Sequence, residues 1–308
     1  MKNAILALSP FLLAGTLILS SCASESNKPS SDLAEEAELY RFQEDDPAIV
    51  ERNDPLWQKL EKKDFLGALE LSMSYGNFDL IYYLAECVIE TTELENFVRE
   101  KCPAVPEQTK DGEEPSIDDG QQITRELRYV LARRLMRENL PSRAREYFPE
   151  ELLPEFDNYV AANKKAYDLT LGEGERAKAF WEAALIVRGN GDALFATSFS
   201  PETLLPANCV FDGSGEDFSE LAVRRRASRL ALYAASLLPN NDERTARILL
   251  TAGTWLRARD AEGANLFYKL IAIRCPDTKI GKESLMLHWL PANLPWKREE
   301  VWDGVNEE

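Results

Sequence analysis

Residues 248–276 read ILLTAGTWLRARDAEGANLFYKLIAIRCP, and this stretch decides the fold. Small residues stand where two neighbouring helices would approach each other, and two large aromatic residues are spaced to fill the seam between them. A proline then ends the second helix, because proline cannot continue one. The stretch therefore predicts a helical hairpin. Its defining positions are Ala252, Ala264, Trp255, Tyr268 and Pro276.

Parts of this pattern recur upstream. One copy repeats the second half of the pattern 37 residues earlier, and another is spread between residues 128 and 148. The first copy comprises Ala227, Ala231, Ala234 and Pro239, and the second includes Ala132, Leu135, Ala144 and Phe148. The first-helix match of the copy at Ala227 falls in the loop-like stretch DGSG, residues 212–215. The repeats are therefore degenerate.

The hairpin resembles the tetratricopeptide repeat, whose two helices carry W-x₂-L-G-x₂-Y and A-x₃-F-x₂-A-x₄-P. The matching positions here are Ile248, Thr251, Ala252 and Trp255, followed by Ala264, Tyr268, Ile271 and Pro276. The resemblance implies an all-α chain, an α-solenoid of hairpins in one body with no significant β-sheet. It also implies that a protein partner docks in a concave groove. The alternative is a generic all-α bundle with alanine-rich contacts.

The N-terminus follows the plan of a secretory signal. Lys2 precedes an apolar run from Ala4 to Leu19, which is too short and interrupted to match a spanning helix of about 20 apolar residues. Leu19-Ser20-Ser21-Cys22 resembles the bacterial lipobox, which implies that Cys22 becomes the acylated N-terminus. Ala23, rather than Asp, resembles the signal for sorting to the outer membrane in enterobacterial lipoproteins. We expect the periplasmic side of that membrane in preference to the cell surface. The alternative is an ordinary signal peptide cut near Ala23.

These features divide the chain into a leader, a tether, a helical body and a tail. The predicted segments are a signal peptide over 1–21, an acylated and acidic tether over 22–54, a helical domain over 55–290 with loops at 103–120 and 206–216, and a polar tail over 291–308.

The charge is strongly acidic and unevenly spread. The chain has 53 acidic and 36 basic residues, and 25 of the acidic but only 9 of the basic ones lie between 23 and 120. Such a surface argues against nucleic acid or anionic lipid headgroups as ligands.

Four cysteines remain once Cys22 is set apart: Cys87, Cys102, Cys209 and Cys275. In an oxidising compartment they could form two disulfides in three connectivities. We favour buried free thiols instead. On one continuous helix Cys87 and Cys102 would be roughly 22 Å apart and could not pair.

Catalytic patterns are absent from the sequence. The single histidine, His288, has no G-x-S-x-G or H-E-x-x-H context. Gly189-Asn190-Gly191 is typical of a helix stop rather than of a phosphate loop. The acidic loop at 111–119 lacks the ordered spacing of a calcium site. We therefore expect no metal, no cofactor and no small-molecule substrate.

Two further features leave alternatives open. The basic run Arg224, Arg225, Arg226 and Arg229 is a candidate surface for an acidic partner, or an exposed helix face without a ligand. Glu283-Ser284 resembles the Glu-Ser pair of lytic transglycosylases, although the expected downstream motif is missing. The sequence as a whole predicts a non-catalytic, lipid-anchored docking protein of the cell envelope. The alternatives are an enzyme acting on peptidoglycan or a glycan-binding lipoprotein.

Overall fold

The computed structural model describes residues 55–104, 119–197, 220–294 and 301–302. Within these ranges the chain forms twelve α-helices and no β-strand, which confirms the predicted all-α class. The predictions for Cys22, Cys209 and the loop at 206–216 lie outside the described residues. The chain divides into two compact units, Met1–Asp64 and Phe65–Glu308.

The first unit contributes one described helix, α1 (Pro55–Glu61). Lys59 in its last turn forms an ion pair with Asp64, with 2.6 Å between Nζ and Oδ2. The other eleven helices belong to the second unit. They are α2 (Phe65–Tyr75), α3 (Phe78–Tyr83), α4 (Thr91–Lys101), α5 (Asp119–Arg137), α6 (Pro141–Ala144), α7 (Leu153–Tyr167), α8 (Glu173–Phe195), α9 (Glu220–Ser236), α10 (Glu243–Leu256), α11 (Ala261–Arg274) and α12 (Lys279–Leu287). A π-helical turn, Leu84–Val88, extends α3, and 3-10 turns at Arg145–Tyr147 and Glu150–Leu152 precede α7.

Side-chain caps start four of the described helices. An N-cap side chain accepts a hydrogen bond from a backbone N–H that the first turn leaves unpaired. Asn77 accepts from the N–H of Leu80 at 3.1 Å, and the other three caps accept at 2.7 to 2.9 Å. Those three are Asp242 on α10, Asp260 on α11 and Thr278 on α12.

Helix α8 corrects the prediction of a stop at Gly189-Asn190-Gly191. The helix runs through these residues and ends at Phe195. A Cβ on Gly191 would lie 2.4 Å from Val223 Cγ1, whereas one on Gly189 would meet nothing within 4 Å. Gly191 therefore serves the close approach of α9 and does not end the helix.

From α7 onward each helix packs mainly on its neighbours in the chain. Contacts between α8 and α9 run antiparallel: Gly191 meets Val223 near one end, and the rings of Phe180 and Tyr233 lie 5.6 Å apart near the other. Helices α10 and α11 are also antiparallel, because Gly253 faces Phe267 while Leu256 faces Gly263. Helix α10 is central, with ten of its fourteen residues buried.

Arginines from neighbouring segments cap the carboxyl ends of the helices. The last carbonyl groups of a helix lack partners within it, and a guanidinium supplies donors together with a favourable charge at the negative end of the dipole. Three arginines of α5 donate to backbone carbonyls at 2.6 to 3.2 Å: Arg128 to Cys102 and Glu146, Arg134 to Ile89, and Arg137 to Phe195 and Ala196. Three arginines of later helices do the same at 2.7 to 3.2 Å: Arg176 donates to Ala166, Arg224 to Trp255, and Arg274 to Ala235 and Leu238.

The turns that follow α9 and α11 lie against each other with a separation of 36 residues in the sequence. Asn241 Nδ2 donates to Asp277 Oδ2 at 2.9 Å, and the N–H of Asp277 donates back to Asn241 Oδ1 at 3.1 Å. The N–H of Lys279 donates to Glu243 Oε1, again 36 residues away, at 3.1 Å. Two successive helix pairs are thus held in register by their turns.

The π-helical turn places a carboxylate in the core. Ile89 N–H reaches back to the carbonyl of Leu84 at 2.9 Å, and the chain then becomes extended before α4 begins. Glu86, on this turn, forms an ion pair with Arg137 in which both side chains are buried. Cys87 and Cys102 therefore lie on separate helical segments, not on the continuous helix used to estimate their separation.

Candidate functional site on helices α10 and α12

A cleft of about 150 Å³ lies between α10 and α12. It is lined by two aliphatic side chains, two carboxylates, two cationic side chains and one amide. Glu243, Arg247 and Leu250 come from α10, Lys279, Ile280 and Glu283 from α12, and Asn293 from the chain that follows α12. Small-molecule sites usually occupy about 300 to 1,000 Å³. The cleft therefore suits a single side chain better than a sugar or a cofactor.

Glu283 and Ser284 occupy different environments. Glu283 is exposed at the cleft and has Arg247 and Lys279 among the other lining residues. Ser284 is fully buried.

Val301 and Trp302, beyond α12, belong to the segment predicted as a polar tail, but both have buried surface. Val301 has no exposed surface, and the Arg244 guanidinium carbon lies 5.7 Å from the centre of the Trp302 ring. This distance is within the range of a cation–π contact. Trp302 of the predicted polar tail thus contacts the first turn of α10.

Arg244 is held in place by the cap of its own helix. Its Nη2 lies 2.8 Å from Asp242 Oδ2, and its backbone N–H donates to Asp242 Oδ1 at 2.7 Å. Burial acts to raise the pKa of the Asp242 carboxyl, but the hydrogen bonds from Arg244 outweigh it, so the pKa lies below its usual value. Asp242 therefore stays ionised at neutral pH and holds the Arg244 side chain that contacts Trp302.

The basic run on α9 is largely engaged within the protein. Arg224 donates to the carbonyl of Trp255 at 3.0 Å, Arg225 pairs with Asp260 at 2.9 Å, and Arg226 stacks 4.4 Å above the ring of Phe195. Arg229 is exposed. Three of the four predicted partner-binding arginines thus position other helices.

The predicted repeat-packing residues lie mostly in the core. Trp255 stacks on Trp181 of α8 with ring centres 5.7 Å apart. Tyr268 is half-buried beside Trp289, and Phe267 fills the seam at Gly253. Pro239 is exposed and Pro276 half-buried, whereas the others are buried: Ala132, Leu135, Ala144, Phe148, Ala227, Ala231, Ala234, Ala252, Ala264 and Ile271.

Three cysteines within the described ranges are free thiols: Cys87, Cys102 and Cys275. Burial raises the pKa of the Cys102 and Cys275 thiols to about 11. Both residues are fully buried, so they act as small apolar side chains at neutral pH.

His288 caps α12 in the left-handed conformation, with φ of 51°, and is exposed. Across the described ranges, no group of three or more His, Cys, Asp or Glu side chains could hold a metal ion. None of the described helices is long and apolar enough to span a membrane.

Comparisons with protein-family models, with curated proteins and with solved structures found no match for this chain. The features that sequence reasoning missed are the ones made by distant segments: the cleft, the contact between Arg244 and Trp302, and the arginine caps. The sequence offers a signal for one of them, the contact between Arg244 and Trp302. That signal is the apolar pair Val301 and Trp302 among charged residues near the C-terminus.

Proposed function

We propose that this chain is a non-catalytic docking protein of the bacterial cell envelope, anchored by a lipid on Cys22, which binds a protein partner through its helical hairpins. The observation that carries the proposal is the pairing of Asn241 with Asp277 across 36 residues. Helix pairs held in register by their turns form arrays whose extended surfaces typically bind other proteins. The tetratricopeptide character of these pairs is part of the proposal.

The small cleft supports a protein partner rather than a small ligand, because its volume suits one inserted side chain. The net charge of −17 disfavours nucleic acid as the partner. The expected location is the periplasmic face of the outer membrane, reached through the lipobox at residues 19–22.

The anchor is tested by Cys22→Ser in the full chain. We expect loss of palmitate incorporation and release of the protein from washed membranes, with Cys87→Ser as the matched control. A Cys22→Ser chain that stays membrane-bound would remove the anchor from the proposal.

The docking role is tested by affinity purification of the tagged chain from gently solubilised envelopes. We expect a partner in stoichiometric amount, retained after a high-salt wash. Recovery of no stoichiometric partner, together with release of muropeptides that disappears in Glu283→Gln, would replace docking with an enzymatic role. Sugar-dependent quenching of tryptophan fluorescence would instead favour glycan binding.

A further inference from the structure

Helices α10 and α12 begin at corresponding points of two successive helix pairs. Their N-caps are Asp242 and Thr278, separated by the same 36 residues that separate Asn241 from Asp277 in the paired turns. Each residue of α12 therefore corresponds to the residue of α10 that lies 36 positions earlier. The two helices thus have corresponding surfaces for whatever packs beside them.

The surface of α10 that meets the next helix pair is buried, whereas the corresponding surface of α12 is exposed. Leu249 and Leu250 of α10 are buried, and Leu250 lines the cleft against α12. Their counterparts on α12 are Leu285, which is 40% exposed, and Met286, which is 74% exposed. The apolar character of these positions is the same on both helices, but only the α10 residues are covered.

Helix α12 buries small residues and exposes large ones. Its buried residues are Ile280, Gly281 and Ser284, of which only the first has a large apolar side chain. Three consecutive large apolar residues, 285–287, form an open face on its last turn. A helix pair that ends an array normally has a polar outer face. The open face of α12 therefore has the composition of an internal contact between helix pairs.

The charged residues beside these surfaces are exchanged between the two helices. Helix α10 carries Glu243 and Arg247 where α12 carries Lys279 and Glu283. Across the cleft, the backbone N–H of Lys279 donates to Glu243 Oε1 at 3.1 Å, and Arg247 and Glu283 line the same cleft. A helix that covered α12 as α12 covers α10 would therefore need a carboxylate near Lys279 and a cation near Glu283.

Charge argues against a second copy of this chain as the occupant of the open face. The net charge of the chain is −17, which opposes close approach of two copies. A copy of the last helix pair, placed on α12 as α12 lies on α10, would also set Lys279 against Lys279 and Glu283 against Glu283. The complementary occupant is a helix of another protein.

We propose that the open face of α12, residues 285–287, is the docking surface for a helix of a protein partner. That helix carries a carboxylate, then an aliphatic residue, and a cation one turn after the carboxylate, because α12 itself meets α10 with Lys279, Ile280 and Glu283. The surface gives the partner of the proposed docking function a place to bind, and its biological role rests on that function.

The probe is a fluorescein-labelled peptide of residues 260–290 that carries Lys279→Glu and Glu283→Lys. It reproduces the helix pair that covers α10, with the two charges exchanged. We expect it to bind the full chain about tenfold more tightly than the unmodified peptide, because the unmodified peptide would place like charges opposite each other. Fluorescence anisotropy measures both affinities. Equal affinities, or no binding of either peptide, would overturn the proposal.

Met286→Asp in the full chain should abolish binding of the exchanged peptide, because it places a charge within the open face. Leu169→Asp is the matched control, since Leu169 is also largely exposed but precedes α8, and it should bind the peptide as wild type does. Both chains should keep the melting temperature of wild type. If that of Met286→Asp falls, Met286→Gln replaces it. Equal binding by the Met286 variant and the control would contradict the assignment of the surface.

Purification from envelopes separates this surface from the docking function. A stoichiometric partner that is lost only in Met286→Asp supports both. A partner recovered equally by wild type, Met286→Asp and Leu169→Asp leaves the docking function standing and overturns the surface. Binding of the exchanged peptide without any envelope partner supports the surface and removes the docking function. Self-association that Met286→Asp abolishes, measured by light scattering, would assign the open face to a second copy and overturn the proposal.

Discussion

Arg274 Nη2 donates a hydrogen bond of 2.7 Å to the carbonyl oxygen of Leu238, 36 residues earlier in the chain, and both residues are buried. The same guanidinium donates to the carbonyl of Ala235 and to Asn240 Oδ1, each at 2.8 Å. One side chain on α11 therefore closes the carboxyl end of α9. It joins two successive helix pairs, and its hydrogen bonds to Ala235 and Leu238 are buried.

Replacing Arg274 by alanine should destabilise the protein by about 3 kcal/mol, because buried carbonyl groups would lose their donors. Arg274→Lys should recover only part of this loss, since an ammonium group cannot reproduce the planar fork of donors. Urea unfolding measures both changes. Arg229→Ala, on the exposed face of α9, is the matched control and should stay within about 0.5 kcal/mol of wild type.

Two glycines of α8 should respond in opposite directions to the same substitution. Gly189→Ala should stabilise the protein by about 0.5 to 1 kcal/mol, because alanine is the better helix former and its Cβ meets nothing within 4 Å. Gly191→Ala should destabilise it, since the new methyl would lie 2.4 Å from the stiff side chain of Val223. Thermal melts of the two variants separate these effects. Equal changes in melting temperature would contradict the close approach of α8 and α9.

The buried pair Glu86–Arg137 should be costly to break. Burial lowers the pKa of the Arg137 guanidinium, and the attraction of Glu86 opposes this shift. Glu86→Gln should destabilise the protein by about 3 to 5 kcal/mol, because it leaves a buried cation without its counter-charge. Glu70→Gln breaks the exposed pair with Lys101 and should cost less than about 1 kcal/mol. Denaturant midpoints that move equally for both variants would show that the π-helical turn does not depend on the pair.

Features that depend on neighbouring residues in the chain can be predicted from the sequence more readily than features that depend on contacts between distant helices. The caps Asp242, Asp260 and Thr278 each act within the first turn of their own helix, so such a helix start depends only on neighbouring residues in the chain. Gly191 was misjudged because the reason for the glycine, Val223, lies on another helix. A glycine at a helix contact and a glycine at a helix end look alike in one sequence. Their difference appears only when the neighbouring helix is in place.

The candidate site also depends on contacts between distant segments, which the sequence does not reveal. Lys279 is an ordinary helix-surface residue in the sequence, and the cleft exists because α12 lies beside α10. The contacts that the basic run at 224–226 makes within the protein could not be predicted, because the residues that it contacts are distant in the sequence. Trp255 lies 31 residues away from Arg224, and Asp260 lies 35 residues away from Arg225.

The contact of Arg244 with Trp302 should depend on pH through Asp242. Hydrogen bonds from Arg244 hold the pKa of Asp242 below its usual value even though burial acts to raise it. A carboxyl whose pKa is lower in the folded state than in the unfolded state adds stability above its unfolded pKa, about 3.9. That stability is lost as the pH falls through the folded pKa.

Asp242→Asn keeps a capping oxygen but removes the charge, so it should destabilise the protein at pH 7 by about 0.5 to 1 kcal/mol. The difference from wild type should begin to shrink as the pH falls below about 4, the pKa of the unfolded carboxyl, and should vanish below the lower pKa of the folded carboxyl, where Asp242 is neutral in both states. Melting temperatures of the two proteins between pH 7 and pH 3 measure this difference. The fluorescence anisotropy of Trp302 reports whether its segment is released, provided that the other five tryptophans are replaced by phenylalanine. A gap between the two proteins that is constant with pH would show that the charge of Asp242 does not hold Arg244. The seat of Trp302 would then depend on packing alone.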